Sequence, residues 1–434
     1  MSETWSVDEH LEDILRGVRP LEPIELQLLD AQGCVLVDEI TVPASLPPFD
    51  NSSMDGYAVR TADVEGSTRE FPAVLTVLGD VAAGSADLPA VGPGQAARIM
   101  TGAPLPPGAE AVVPVEWTDG GTGGGPADAM TARTADPGGA TGEVRVHRPV
   151  TQGQYVRERG SDVRAGTVAL PAGTVLGPPQ LGLLAAIGLG KVTVRPHPRV
   201  VVVSTGSELV QPGEPLEHGR IHDSNSFVLT AAARAAGAIA YRVGAVADDP
   251  DTLRATIEDQ LIRADIVVTS GGVSVGAYDV VKEALSGVDG ADGSVEFRRL
   301  AMQPGKPQGF GLVGTERTPL LALPGNPVSS YVSFELFVRP AIRALMGREP
   351  VRRPTVPAVL TGDTVLHSPA GKRQFLRGAY DPPPPGEKAG TVRAVGGAGS
   401  HLIASLAQAD ALIVIPEDRE EAAPGEELEV IRLD

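Results

Sequence analysis

The sequence predicts a multidomain chain of the α/β plus β class, with a central doubly wound α/β domain, β-rich domains before it and a smaller β domain after it. Three observations carry this. Between residues 198 and 348, apolar strand-like runs alternate with helical patterns, the signature of βαβ units in a parallel sheet covered by helices on both faces. On either side the pattern changes to short β-type runs separated by Gly and Pro, of which the chain has 39 prolines and 52 glycines. A length of 434 residues also exceeds what one ordinary core holds, so about two to four domains are expected.

The elements follow in order. Residues 1–19 hold one helix: in "SVDEHLEDILRG", Val7, Leu11, Ile14 and Leu15 share a face, Ser6 is placed to cap it and Gly17 to end it. Residues 20–49 and 146–197 read as a β-rich linker domain, the latter starting in "VRVHRPV". Residues 50–145 read as a small β domain with the strands "AVLTVLG" and "AVVPVEW". Within it, Thr118 to Glu143 is a Gly-rich insertion with too few apolar residues to fold alone, expected as the tip of a hairpin.

In 198–348, "VVVVST", "SNSFVLTAAARAAGA", "AYRVGAV", "DPDTLRATIEDQLIRA" and "DIVVTS" alternate strand and helix. "LLALPG" and the helix "NPVSSYVSFELFVRPAIRALMG" extend the series, with Asn326 as cap and Pro327 at the first helical position. Residues 349–434 return to short strands around an exposed turn, "YDPPPPGEKAG".

Composition excludes several functions. A formal charge of −19 argues against nucleic acid held by general electrostatics, because phosphate binding needs a concentrated basic face. The seven histidines are dispersed and Cys34 is the single cysteine, so neither a zinc nor an iron–sulfur site is supported and no disulfide forms within one chain. Cys34, in "GCVLV", reads as a small core residue. The N-terminus lacks the basic start and apolar run of a signal peptide, and Gly, Pro or charge breaks every apolar run short of membrane-spanning length. We expect a cytoplasmic protein with no membrane partner.

Ligands of open α/β sheets gather beyond the carboxyl ends of the strands. Four loops qualify: "STGSEL" with Glu208, "GRIHDSNS" with Asp223, "TSGGVSVGAYD" with Asp279, and "LPGNPVSS". A Gly-rich turn feeding a helix aims backbone N–H groups at an anion. An aspartate there repels the anion unless a cation lies between. Three carboxylates on neighbouring loops beside such turns suit Mg2+, which takes oxygen ligands and bridges protein to phosphate. The plainer alternative makes Asp223 a helix cap and Asp279 a favourable first-turn charge.

Other segments are more equivocal. "MQPGKPQGFG" places Lys306 in a turn held by Pro304, Gly305 and Pro307, where it can meet an oxyanion, although a lone loop lysine is ordinarily just solvated. "PPFDNSSMDGYAVR" crowds Asp50, Asn51, Ser52, Ser53 and Asp55, a pattern that turns closed by local hydrogen bonds also produce. "GVSVG" fits a nucleophile elbow around Ser274, but the only later histidines, His367 and His401, fall in the C-terminal β region, outside the sheet domain.

Taken in order, "PPFDNSSMDGYAVR", "RIMTGAPLPPGAEAVVPVE", "STGSELV", "GRIHDSNS", "TSGGVSVGAYD", "PGKPQGFG" and "LPGNPVSS" resemble the MoeA family of molybdopterin molybdenumtransferases. That family also includes the E domains of gephyrin and its plant counterpart. The resemblance spans almost the whole chain and implies a MogA-like, molybdopterin-binding α/β domain at 198–348 and a small β-barrel-like domain at 349–434. It implies a homodimer that inserts molybdate into adenylylated molybdopterin with release of AMP, assisted by Mg2+, as the final step of molybdenum cofactor biosynthesis. Possible partners are then the adenylyltransferase and the acceptor molybdoenzymes.

By the same resemblance, Glu208, Asp223 and Asp279 handle the metal and the phosphate end, and Gly271, Gly272 and Ser274 line the cradle. Pro324 and Pro327 border the substrate. Asp55 and Thr101 are contributions from the other subunit, and Asp162 with Arg157 forms a further acidic position. Lys306, Arg377 and Ser400 resemble the molybdate group. Gln303 departs from the pattern, since some relatives have a basic residue before "PGKP". Two other functions stay open: the preceding adenylyltransferase step, whose MogA-type proteins are essentially the α/β domain alone, and a gephyrin-like scaffold. The flanking β regions weigh against the first, and the retained acidic residues against the second.

Overall fold

The computed structural model of the chain describes residues 4–130, 142–273, 280–285 and 295–434. Two compact units result: Met1–Val37 with Gly173–Gly177 and Val192–Asp434, and Asp38–Ala172 with Pro178–Lys191.

The first unit contains a seven-stranded sheet in the order Thr4–Trp5, Glu296–Leu300, Pro307–Val313, Thr318–Leu323, Ile266–Ser270, Arg199–Thr205 and Ile239–Val246. The last four run parallel, as the alternation of strands and helices predicts. Pro307–Val313 is antiparallel to both neighbours, so the sheet is mixed rather than wholly parallel. Its link to Thr318–Leu323 is too short for a parallel crossover, which needs about a dozen residues or more. Val200, Val202, Ile266, Val268 and Leu321 point to one face and Val201, Val203, Val267 and Leu320 to the other. These strands read as continuous apolar runs because helices cover both faces.

Helix Val7–Gly17 begins with a capping box: Ser6 Oγ accepts from Glu9 N–H at 3.1 Å and Glu9 Oε2 accepts from Ser6 N–H at 2.7 Å. Val7, Leu11 and Ile14 are buried as expected, joined by His10. Gly17 is not a left-handed cap, since Val18 ends the helix in an extended conformation. A Cβ on Gly17 would lie 3.0 Å from Phe310 Cζ, so close packing explains the glycine.

The long helix after Asn326 is three pieces, Pro327–Ser333, a π turn Phe334–Val338 and Arg339–Leu345. Pro340 has no N–H for the carbonyl four residues back, and the ladder widens there. Pro327 opens the helix, but the Asn326 side chain makes no capping hydrogen bond.

Also in the first unit, Arg373–Asp381, Gly390–Ala394, Thr355–Thr361, Glu427–Arg432 and Ala411–Ile415 pair in that order, and the last returns to the first. This closes a five-stranded β-barrel and leaves no open edge among its strands. The short strand Met302–Gln303 adds to it in parallel beside Arg373 and Gln374.

The second unit holds a five-stranded sheet in the order Glu143–Val146, Ala73–Val81, Gln95–Ile99, Gly56–Val59 and Ala111–Pro114. The Gly-rich insertion does not leave it freely: Thr118 and Asp119 are buried, and the Asp119 carboxylate accepts from Gly121 and Gly123 N–H at 2.9 Å and from Arg145 N–H at 3.0 Å. Composition hid this anchor, which uses backbone hydrogen bonds rather than apolar burial. The middle of the insertion, 131–141, lies outside the described residues.

The segments read as one linker domain are shared between the units. Ile24–Gln27, Val35–Leu36 and Lys191–Arg195 form a three-stranded sheet mostly within the first, while Ile40–Thr41 pairs with Val168–Leu170 in the second. Among the described residues, no helix is long and apolar enough to cross a membrane.

Candidate active site

The carboxyl ends of the parallel strands open onto a cavity of about 990 Å³ in the first unit. Glu208, Asp223, Gly271, Gly272, Lys306, Pro324 and Pro327 all line it. Loops far apart in sequence converge because adjacent parallel strands end at one edge of the sheet.

Each loop is fixed by backbone pairing. Leu209–Val210 runs parallel to Ile221–His222, which brings the Glu208 loop beside the Asp223 loop. Gly271 N–H donates to Leu323 O at 3.1 Å, and its φ of +104° is a conformation that favours glycine. A Cβ on Gly271 would stand 2.6 Å from Thr205 O, so this turn requires a residue without a side chain.

The carboxylates differ in role. Asp223 is 1% exposed; its Oδ1 accepts from Ser204 Oγ at 3.0 Å and Ser226 N–H at 3.1 Å, and its Oδ2 accepts from Ser226 Oγ at 2.5 Å. It therefore caps the helix Asn225–Ala235, as the plainer reading of the sequence held, while one side of it borders the cavity. Glu208 is exposed and lines the same wall. Ser274 and Asp279 lie outside the described residues.

Lys306 is exposed on the cavity rim rather than confined by its turn. Arg299, at the register position opposite Pro307, lines the cavity too. Among the described residues neither side chain has an ion-pair partner, so the pair provides the local positive charge that a −19 chain otherwise lacks. Gln303 is paired along the barrel strand opposite Gln374.

Arg377 and Ser400 do not line the cavity. Arg377 is 2% exposed, donates to Gly397 O, and has its pKa lowered by burial; among the described residues its Nε is buried without a partner. Ser400 O accepts from Val328 N–H at 3.0 Å, beside Pro327. The next residue, His401, expected away from the sheet domain, lines the cavity. Barrel and sheet meet here, which no local pattern showed.

In the second unit, Asp55 and Thr101 come together: Asp55 Oδ1 accepts from Thr101 N–H at 2.6 Å and from Thr101 Oγ1 at 2.9 Å. The rest of the polar crowd divides: Ser52 Oγ donates to Met54 O at 2.5 Å and Asn51 Nδ2 to Phe49 O at 3.2 Å, whereas Ser53 Oγ donates to Tyr155 O at 3.1 Å and Asp50 Oδ1 accepts from Arg159 N–H at 2.6 Å. Arg157 pairs through its backbone with Asn51, and Asp162 N–H donates to Leu46 O at 3.0 Å; both side chains are exposed.

Sequence reasoning missed Asp248, Asn225, Arg299 and His401 among the lining residues. Asp248 follows the strand Ile239–Val246 and was within reach of the strand-end rule. Its Oδ2 accepts from Ser207 N–H at 2.9 Å, while Ser207 Oγ accepts from Asp248 N–H at 3.1 Å.

Among the described residues there is no group of three His, Cys, Asp or Glu side chains placed to hold a metal by themselves. Glu208 and Asp248, both exposed and both lining the cavity, are oxygen donors of the type that Mg2+ takes when it keeps waters and is shared with substrate phosphates.

A mixed α/β sheet with Gly-rich turns, carboxylates and exposed cations around one strand-end cavity defines a protein that binds a phosphate-bearing or oxyanionic ligand. Three family descriptions match the chain: the MoeA N-terminal region (domain I and II) over residues 5–188, a probable molybdopterin binding domain over 201–344, and the MoeA C-terminal region (domain IV) over 359–433. Molybdopterin molybdenumtransferase 2 of Mycobacterium tuberculosis is 46% identical over 427 residues, covering 98% of each chain. A molybdopterin molybdenumtransferase of Nostoc is 36% identical over 412 residues, covering 94% of this chain and 88% of its own. A crystal structure of the MoeA molybdopterin biosynthesis protein of Pyrococcus horikoshii matches all of both chains with a TM-score of 0.76 and 30% identity. The chain belongs to the MoeA family.

Proposed function

We propose that the chain is a molybdopterin molybdenumtransferase acting at the final step of molybdenum cofactor biosynthesis, and that its substrates are adenylylated molybdopterin and molybdate, with AMP released. The observation that carries this reading is the meeting, in one cavity, of the Gly271–Gly272 turn, Glu208 and the two exposed cations Arg299 and Lys306. Full-length similarity to enzymes of that name supports it over the single-domain adenylyltransferase reading.

In this mechanism, the Gly272 N–H binds a phosphate oxygen while the Gly271 N–H holds the turn to Leu323 O, and the Pro324–Pro327 loop borders the substrate. Arg299 and Lys306 attract molybdate, a dianion, by charge. Glu208 and Asp279 would hold Mg2+ at the phosphate end, and buried Asp223 steadies the first turn of its own helix through Ser226. Mg2+ would neutralise charge on the phosphate oxygens as AMP leaves. We further infer a homodimer in which Asp55, Thr101, Arg157 and Asp162 of one copy serve the substrate of the other, with Arg377 and Ser400 supporting the molybdate end. The reading also carries a cytoplasmic location and contact with the adenylyltransferase and acceptor molybdoenzymes.

The test is to mix purified protein with adenylylated molybdopterin, molybdate and Mg2+ and to follow AMP. Molybdate-dependent AMP release is expected, and its absence would sink the proposal. Asp279→Asn should slow release without altering the oligomeric state; unchanged turnover removes Asp279 from the site.

A further inference from the structure

Asn225 opens the helix Asn225–Ala235 and reaches two other strand-end loops. Its Nδ2 donates to Ser270 Oγ at 2.9 Å and to Gly325 O at 2.6 Å. A carbonyl can only accept, so Gly325 decides which end of the amide faces these loops. The two loops already touch through backbone: a Cβ on Gly325 would be 3.4 Å from Gly271 Cα. Ser270 Oγ is in turn 3.3 Å from Ser330 Oγ, in the helix after Pro327. One side chain from the Asp223 loop therefore clasps the Gly-rich turn and the Pro324–Pro327 loop at a fixed separation.

Stability alone does not account for this choice of residue. Among the described residues Asn225 Oδ1 is buried with no partner, a penalty that an apolar side chain of the same size would not carry. What the amide does, and a leucine cannot, is donate to both loops.

We propose that Asn225 is a positioning residue for the phosphate end of the substrate. By holding the Ser270–Gly272 turn against Gly325, it keeps the Gly272 N–H aimed at the phosphate oxygens, while the Gly271 N–H anchors the turn to Leu323. This rests on reading the cavity as the nucleotide-phosphate site.

The experiment measures AMP binding by calorimetry, in Mg2+, to full-length wild type, Asn225→Leu and Ser270→Ala, with thermal unfolding of each. Asn225→Leu should weaken AMP about tenfold, from loss of the ties to both loops, and Ser270→Ala, which loses the Asn225 tie to one loop together with the longer contact to Ser330, about threefold. Thermal midpoints should stay close to wild type, because the orphaned Oδ1 disappears with the lost bonds. In turnover, the KM for adenylylated molybdopterin should rise while kcat holds. Wild-type AMP affinity in Asn225→Leu overturns the proposal. Should Asn225→Leu fail to fold, Ser270→Ala decides, and unchanged affinity there overturns it equally. Failure of wild type to bind AMP instead rejects the reading of the cavity, and this inference with it.

Discussion

A single oxygen of Asp55 takes both donors of Thr101, the N–H at 2.6 Å and the hydroxyl at 2.9 Å, which ties the "MDGYA" segment to the "MTGAP" turn. Both residues are exposed, and Asp55 Oδ2 is left free of this contact. The arrangement holds a carboxylate in place without burying it. Asp55→Asn keeps an oxygen that can accept both bonds and removes only the charge. We expect stability within about 0.5 kcal/mol of wild type, the scale of surface changes. AMP release should fall about a hundredfold, the scale for losing one aimed electrostatic group. Full activity in Asp55→Asn would place Asp55 outside the reaction.

The two cavity cations make a separable prediction. Lys306→Ala should raise the KM for molybdate about five- to tenfold with kcat nearly unchanged, since an exposed charge contact is worth about 1 kcal/mol. Arg299→Ala should act alike. For both, the difference from wild type should shrink as salt rises and the Debye length drops below about 10 Å. A molybdate response that ignores both substitutions would assign oxyanion binding elsewhere.

At Gly271 the expected effect is steric. A φ of +104° and a Cβ position 2.6 Å from Thr205 O leave no room for alanine without moving backbone. Gly271→Ala should cost roughly 1–3 kcal/mol in strain and abolish detectable AMP binding. Gly362, at φ +112° with open space where a Cβ would stand, is a control for backbone strain alone. Gly362→Ala should lose stability but keep AMP affinity.

The alternation of apolar strands and helical patterns made the sheet legible, because strands covered on both faces must be apolar throughout, as Val200 to Val203 are. The strand-end rule then found Glu208, Asp223, Gly271 and Gly272 together. It did not find Arg299 or His401, which reach the cavity from an antiparallel strand and from the barrel region, placements set by tertiary packing. Asp223 shows the opposite limit: its residue type fits both a ligand and a cap, and only the bonds to Ser204 and Ser226 display the capping. The buried anchor at Asp119 was hidden for a similar reason, since glycine-rich composition says nothing about backbone N–H groups converging on a carboxylate.

Glu335 is 5% exposed, and Arg353 Nε donates to its Oε2 at 2.6 Å while the same guanidinium reaches Leu433 O at 2.9 Å and Asp434 O at 3.0 Å. One arginine thus joins the last helical run of the α/β region to the chain's C-terminus. Arg353→Met should destabilise the protein by about 3 kcal/mol, because a buried carboxylate loses its main partner. Glu335→Gln in the same chain should recover part of that loss. Urea unfolding of the single and double variants measures both, and additive losses would show that the two groups do not interact.

His197 supplies the pH dependence. Its ring nitrogens lie 2.6 Å from Gly237 O and 2.9 Å from Gln32 O, and two carbonyls can both be satisfied only when both nitrogens carry protons. A hydrogen bond with the Cys34 side chain, followed by the Gln32 and Gly237 carbonyls, pushes its pKa from 6.5 up to about 9 against the opposing effect of burial. The folded value is above the unfolded one, so the charged ring stabilises the fold fully below about pH 6.5, and this contribution is lost as pH rises through about 9. The whole shift would correspond to about 3 kcal/mol, and partial exposure reduces it to roughly 1–2 kcal/mol. Urea unfolding at pH 6 and pH 9.5 should show that loss in wild type, and His197→Gln, which cannot gain a proton, should flatten the difference. An equal loss in His197→Gln would trace the pH dependence to other groups.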